Sequence, residues 1–120
     1  MRAVSLAIAL VLLSACGAAV TPTPTTAPIS VGVQLADFKI TLTSTTLSGS
    51  SFTFAVASSG PTPHNFNVRD DSGRIAGSMD LSTGESDTVM ANLSPGTYTF
   101  YCAFPGHESL GMRGTLTVSA

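Results

Sequence analysis

Four side chains that bind transition metals occur in an order that suits a single metal site. Cys102, His107 and Met112 lie within eleven residues of one another, and His64 comes earlier in the chain. They include both histidines of the protein and its only cysteine outside the N-terminal segment. The stretches between the last three contain glycine, proline and serine, turn-forming residues that allow a chain to fold round one point.

This ligand set is typical of a copper site that carries electrons. Two neutral imidazoles, a thiolate and a weak thioether are the ligands of trigonal blue-copper centres. Soft sulfur favours Cu(I) and imidazole nitrogen keeps Cu(II) accessible, so one electron can be gained and lost with little rearrangement. Zinc fits less well, because methionine is a poor zinc ligand and would leave the fourth position weak. The sequence therefore predicts one copper ion bound by His64, Cys102, His107 and Met112.

The elements that position these residues are predicted to be the strands of an all-β domain. Short apolar runs are separated by glycine, proline, serine and aspartate, and no window has a convincing helical period. A further short strand is predicted near 74–79, within the less regular stretch 70–82. The six main predicted strands are 31–42, 52–58, 64–69, 85–91, 97–102 and 113–119. This pattern predicts a Greek-key β-sandwich.

Alternation along these strands predicts the direction in which the ligands point, because successive residues face opposite sides of a sheet. Cys102 is in phase with the aromatic residues of its strand, so its side chain is expected to face the core. His64 and Met112 are directed inwards by the same rule. His107 lies in a turn-rich loop and is the ligand expected to have an edge at the surface. The first predicted strand changes phase, which predicts a bulge or bend near residues 36–37.

The sequence around the ligands resembles the cupredoxin family, which includes plastocyanins, azurins and auracyanins. The resemblance is carried by 101–107, Tyr-Cys-Ala-Phe-Pro-Gly-His, by 112–118, Met-Arg-Gly-Thr-Leu-Thr-Val, and by 63–66, Pro-His-Asn-Phe. It implies a cupredoxin-like sandwich in which both histidines and the cysteine are strong equatorial ligands and the methionine is the long axial one. It also implies that Asn65 ties the two ligand loops together. The spacing of four residues in each ligand gap fits auracyanins better than plastocyanins or azurins.

The resemblance implies an electron carrier that exchanges single electrons with redox proteins such as a cytochrome, an oxidase or a photosynthetic complex. An enzyme is not expected, because no catalytic dyad or triad appears and two histidines are too few for a second copper site. A binuclear copper centre would need a second cysteine in the ligand loop. The alternative is an exported protein for copper delivery or storage, although the methionine and histidine clusters typical of such proteins are absent. Met79 and Met90 are expected to be core residues.

A small apolar collar around His107 is predicted to contact redox partners. It consists of Phe104, Pro105 and Leu110, which flank this ligand in the sequence. An exposed and contiguous apolar patch marks a contact site, and transient redox encounters need only small interfaces. The alternative is that Phe104 and Leu110 pack the ligand loop against the sandwich, since scattered apolar residues are common at surfaces.

The N-terminal segment predicts export and attachment to a membrane. Residues 1–15 begin with a positive charge and continue with an apolar run shorter than the roughly 20 residues that span a bilayer, as in a signal peptide. The tetrapeptide 13–16, Leu-Ser-Ala-Cys, resembles the lipobox of bacterial lipoproteins and implies that Cys16 is acylated and becomes the new N-terminus. The alternative is an ordinary secreted protein that is cleaved near residue 15 or 19.

The segment that follows is predicted to be a spacer. Residues 16–30 are rich in threonine and proline and form an extended tether, which glycosylation would also suit. The tether would hold the copper-binding domain, 31–120, near the outer face of a bacterial cell membrane, on the periplasmic or extracytoplasmic side. Acylation of Cys16 would leave Cys102 unpaired, and a metal commonly occupies such a thiol.

The charge of the chain is mildly acidic. The formal net charge is −2, from five basic and seven acidic residues, and loss of Arg2 with the signal peptide would leave four against seven, or −3. This balance gives no support for nucleic-acid binding, which requires clustered lysine and arginine. A monomer is expected.

Overall fold

The computed structural model describes residues 16–120, which form nine β-strands. None of these residues belongs to a helix that could span a membrane. The strands are β1 (Ile29–Ala36), β2 (Lys39–Leu42), β3 (Thr46–Ser48), β4 (Ser51–Ser58), β5 (Asn67–Asp70), β6 (Gly73–Gly77), β7 (Ser86–Asn92), β8 (Gly96–Tyr101) and β9 (Arg113–Ser119). The predicted signal peptide, 1–15, lies outside the described residues.

The strands form two sheets that pack face to face. One sheet has the order β2-β1-β4-β7 and the other the order β3-β9-β8-β5-β6. The pairs β1–β4 and β3–β9 are parallel, whereas the other neighbours are antiparallel. The chain passes from one sheet to the other after β2, β3, β4, β6 and β7. The predicted all-β sandwich is confirmed.

The core lies between the sheets and is built from the alternating apolar residues of the strands. In β4 the side chains of Phe52, Phe54 and Val56 are buried, and the residues between them are less buried or exposed. The ring of Phe54 lies 5.2 Å from that of Phe66, and Phe66 stacks on Phe100 at 6.3 Å. Because these contacts join strands of both sheets, they fix the scaffold on which the metal ligands are mounted.

The structure has a β-hairpin where the sequence predicted the first strand. The prediction of one strand over 31–42 with a bulge at 36–37 is wrong, because the chain turns at Asp37-Phe38 and β2 runs back antiparallel to β1. Leu35 is opposite Ile40 across this turn, so both side chains face the core although one position is odd and the other even. A change of phase in the sequence is compatible with either a bulge or a tight reversal, and the structure has the reversal.

Two further expectations are wrong, and one strand was not predicted. His64 does not begin β5, which starts at Asn67; it forms an isolated bridge with Leu81, in which each N–H donates to the other's carbonyl oxygen. The short strand predicted near 74–79 is present as β6, and the three-residue β3 was not predicted. Met79 and Met90 are exposed, so their assignment to the core is wrong. In β7 the residues on either side of Met90 point inwards, and alternation therefore directs Met90 outwards.

Candidate metal centre

Three of the predicted ligands converge at one end of the sandwich. Nδ1 of His64 lies 3.2 Å from Nδ1 of His107, which lies 3.5 Å from Sγ of Cys102. The three donor atoms all lie within 4.8 Å of one another. Donors bound at metal distances of about 2.0 to 2.3 Å round a trigonal centre are separated by roughly 3.5 Å. The spacing therefore suits one shared ion.

The fourth predicted ligand is held beside the other three by the backbone. Met112 is fully buried and directly precedes β9. Its carbonyl oxygen accepts a hydrogen bond of 3.0 Å from the N–H of Cys102, and its N–H donates to the carbonyl oxygen of His107, also at 3.0 Å. The cysteine, the second histidine and the methionine are thus joined in one compact loop.

The donor types and their burial fit copper. A thiolate, two imidazole nitrogens and a thioether form a mixed soft and intermediate set, which suits copper better than a hard cation that prefers oxygen ligands. His64, Cys102 and Met112 are fully buried, and only His107 is half-buried. Such a site excludes water from most of the ligand set.

A charged pair fastens the ligand loop to the neighbouring strand. The two terminal guanidinium nitrogens of Arg69, on β5, donate to the carboxylate of Glu108, at 2.8 and 2.9 Å. The same guanidinium stacks over the ring of Tyr101, with its carbon 4.1 Å from the ring centre. The hydrogen bonds from Arg69 lower the pKa of Glu108 below its usual value. Since Glu108 follows His107 directly, this bidentate pair limits the movement of that ligand.

Asn65 connects the loop that carries His64 with the loop that follows Cys102. Its side-chain oxygen accepts a hydrogen bond of 2.7 Å from the N–H of Ala103, and its backbone N–H points at Sγ of Cys102 at 3.5 Å. Asn67 and Asp80 hold the Asn65 side chain in place, each at 2.8 Å. These contacts join both ligand loops and supply one hydrogen bond to the sulfur, an arrangement that commonly tunes metal sites.

Asp37 contacts the site and was not predicted to do so. Its Oδ1 lies 2.8 Å from Nε2 of His64, on the opposite side of the ring from Nδ1. Thr62 adds two hydrogen bonds to the same carboxylate, one from its N–H and one from its hydroxyl. Desolvation acts to raise the pKa of Asp37, but the hydrogen bonds from His64 and Thr62 together outweigh it, so that this pKa lies below its usual value. In the sequence, Asp37 lies at the predicted bulge or bend near residues 36–37. Only the turn between β1 and β2 brings it to His64.

Aromatic rings surround His107. Phe38, from the turn between β1 and β2, meets the His107 ring edge-on with ring centres 5.1 Å apart, and Phe104 stacks on it at 5.4 Å. Phe104 is half-buried and also packs against the core, whereas Pro105 and Leu110 are exposed. Phe38 is 36% exposed and was not among the predicted collar residues. Phe38 reaches the site through the β1–β2 turn, as Asp37 does.

Comparison with known proteins identifies the family. The sequence model described as copper binding proteins, plastocyanin/azurin family, matches residues 28–119, which include all nine strands of the described part and all four ligands. The chain belongs to the plastocyanin/azurin family. The prediction of copper as the cofactor is confirmed by this membership together with the grouping of His64, Cys102 and His107.

Individual members of the plastocyanin/azurin family resemble the chain over shorter segments. It is 52% identical to auracyanin-B of Chloroflexus aurantiacus over 40 residues, which are 32% of this chain and 17% of that protein. It is 45% identical to azurin of Pseudomonas aeruginosa over 53 residues, 41% of this chain and 35% of that protein. The matches therefore span about a sixth to a third of these curated relatives.

A solved structure of the family has the same fold. The reduced auracyanin of Roseiflexus castenholzii superposes with a TM-score of 0.64 at 20% sequence identity, covering 79% of this chain and 100% of that one. The cupredoxin-like sandwich predicted from the ligand motifs is therefore present.

Proposed function

We propose that this cupredoxin is a mononuclear blue-copper electron carrier rather than an enzyme, and that it exchanges single electrons with redox proteins. The observation that carries the proposal is the uneven burial of the ligands. His64, Cys102 and Met112 are closed off from solvent, whereas the ring of His107 is half-buried. A metal in such a site is retained, but an electron has a short route through the one accessible ring. A delivery or storage protein would need ligands that open to release the metal.

The chain contributes a rigid and largely dry ligand cage. When bound, copper supplies the one-electron couple between Cu(II) and Cu(I). Cys102, at the end of β8, and His64, bridged to Leu81, are fixed by the two-sheet scaffold. Asn65 donates to the Cys102 sulfur and joins the two ligand loops, a role that the family resemblance implies. Rigidity keeps the donor atoms in place when the charge of the site changes.

We propose that the apolar collar beside His107 is the surface at which electron partners dock. The predicted members Phe104, Pro105 and Leu110 are joined by Phe38, which meets the His107 ring edge-on. Leu110 is 59% exposed, which is more than packing of the loop would require. The alternative, in which these residues pack the ligand loop against the sandwich, applies in part to Phe104, because its ring contacts the core as well as His107. The partners proposed are membrane-associated redox proteins of the cytochrome, oxidase or photosynthetic-complex type.

Leu110→Glu is expected to slow electron transfer without altering the copper site. Electron self-exchange between oxidised and reduced copies measures transfer at this surface without a known partner, because two collars must meet. Two carboxylates brought close together repel each other, and their hydration opposes contact, so the self-exchange rate should fall by roughly tenfold. Nuclear magnetic resonance line broadening in mixtures of the two oxidation states gives the rate, and the visible spectrum should stay close to that of the wild type.

Met90→Glu is the matched control for this variant. It makes the same change of charge at a methionine that is 70% exposed on the outer face of β7, in the sheet that does not carry the cysteine. Its self-exchange rate should remain near the wild-type value. Equal rates for Leu110→Glu and the wild type, with intact spectra, would place the docking surface elsewhere.

We further propose that the domain is exported and anchored to a membrane through Cys16. Cys16 is exposed, and no strand forms between it and Ile29, where β1 begins. An extended segment of this length, with its repeated Thr-Pro pairs, would reach on the order of 40 Å at about 3.1 Å per residue. Because β1 begins at Ile29, the tether predicted as 16–30 would end at residue 28, and it would let the copper domain approach partners as a monomer near the outer face of a bacterial membrane.

A further inference from the structure

We propose that Asp37 sets the electron affinity of the copper site by placing a fixed negative charge behind His64. The two residues come from different parts of the fold, the β1–β2 turn and the loop before β5. Oδ1 of Asp37 accepts the hydrogen bond from Nε2 of His64 at 2.8 Å. The His64 ring is fully buried, and the carboxylate is 28% exposed. The interaction therefore takes place in a setting where water screens charge only in part.

The first consequence of this contact is the choice of tautomer at His64. A carboxylate accepts only, so the ring nitrogen facing it must carry the proton. Nε2–H then leaves the lone pair on Nδ1, the atom that faces Cys102 and His107. Asp37 thus orients the ring and prepares the donor atom, as carboxylate partners of metal-binding histidines commonly do.

The local chain is built to keep this contact short. Thr62 holds both oxygens of Asp37, with its N–H on Oδ1 at 3.3 Å and its hydroxyl on Oδ2 at 2.9 Å. Gly60 is buried against the pair, and a Cβ at that position would lie 2.6 Å from Oδ1 of Asp37 and 3.1 Å from Nε2 of His64. Any other residue at position 60 would push the two groups apart. Gly60 and Thr62 therefore both support the hydrogen bond from His64 to Asp37.

The second consequence concerns the balance between the two oxidation states. A negative charge on the far side of a ligand ring stabilises the oxidised site, which has one more positive charge, relative to the reduced site. Asp37 should therefore lower the reduction potential. The role proposed for Asp37 depends on the electron-carrier function proposed above, and it would adjust the direction in which electrons flow to and from partners.

The test compares reduction potentials of copper-loaded variants. Asp37→Asn keeps an oxygen that can accept from Nε2–H but removes the charge, so the potential should rise. We expect the preference of the site for Cu(I) over Cu(II) to increase by at least tenfold, or 59 mV for one electron. Asp71→Asn is the control, because it makes the same charge change in the exposed turn that follows β5, whereas His64 lies before β5. It should leave the potential unchanged. An unshifted potential in a folded Asp37→Asn protein overturns the proposal.

A measurement on the metal-free wild type keeps the proposal testable if the variant does not fold. Nitrogen resonances of the His64 ring at pH 8 should identify the tautomer with its proton on Nε2, and this proton should exchange slowly because the ring is buried. A proton on Nδ1 instead would contradict the proposal. If the wild type has no reversible copper couple, the carrier function itself fails; if the couple is present but insensitive to Asp37→Asn, only the role of Asp37 fails.

Discussion

Cys102→Ser is expected to remove the intense visible colour of the copper-loaded protein and to weaken copper binding by more than about 100-fold. Loss of a group that only hydrogen-bonds to a metal ligand lowers metal affinity about 10- to 100-fold. Cys102→Ser should have a larger effect because it removes a ligand itself. The colour of the wild type should arise from transfer of electron density from the Cys102 sulfur to Cu(II), for which a serine hydroxyl is no substitute. Absorption spectroscopy together with a copper titration measures both effects.

The fold should survive this substitution. Serine has nearly the same shape as cysteine, and a hydroxyl at position 102 would lie near the N–H of Asn65 and the ring of His107, the groups that now contact the sulfur. Thermal unfolding of the metal-free proteins provides the check on folding. Cys16→Ala is the matched control, because it removes the other cysteine and should leave the colour unchanged. A folded Cys102→Ser protein with wild-type colour would contradict the ligand assignment.

Cys16→Ala is expected to move the protein from the membrane fraction to the soluble fraction. Each buried methylene of an acyl chain contributes about 0.8 kcal/mol, and two or three chains on one cysteine hold a protein durably where a single chain does not. Loss of all chains should change the partition by more than about 100-fold. Cell fractionation followed by immunodetection measures this, and Cys102→Ser, which retains Cys16, should stay with the membrane.

Mass spectrometry of the wild type separates acylation from retention of an uncleaved signal peptide. The expected mass is that of a chain that begins at Cys16 and carries acyl groups. A soluble wild type, or one whose mass at Cys16 includes no acyl group, would refute the lipid anchor and favour the ordinary secreted protein.

The metal ligands could be predicted from the sequence because their signal is local. Three of them lie in one short loop, and the alternation of β8 and β9 directs Cys102 and Met112 inwards. The sandwich followed from the same alternation, which each strand shows independently of its partners. His64 was directed inwards correctly although it precedes β5, because the chain around it remains extended and pairs with Leu81.

Asp37 and Phe38 could not be assigned to the site because their positions depend on a reversal of the chain. If residues 31–42 formed one bent strand, Asp37 and Phe38 would have no definite neighbours. As a hairpin, the same residues place Phe38 against His107 and Asp37 against His64. The signal was present as the change of phase after Leu35, but strand pairing rather than local sequence decides between a bulge and a turn. The Arg69–Glu108 pair likewise joins residues distant in the sequence.

A reductive titration of the copper-loaded protein, followed by visible absorption, is the decisive measurement of its proposed electron-carrier function. We expect one copper ion per chain and an intense visible band in the oxidised protein. One electron equivalent should bleach this band, and reoxidation should restore it in full over repeated cycles. Copper bound without such a band, or a band that does not bleach and return with one electron, would contradict a thiolate-copper electron carrier built from His64, Cys102, His107 and Met112.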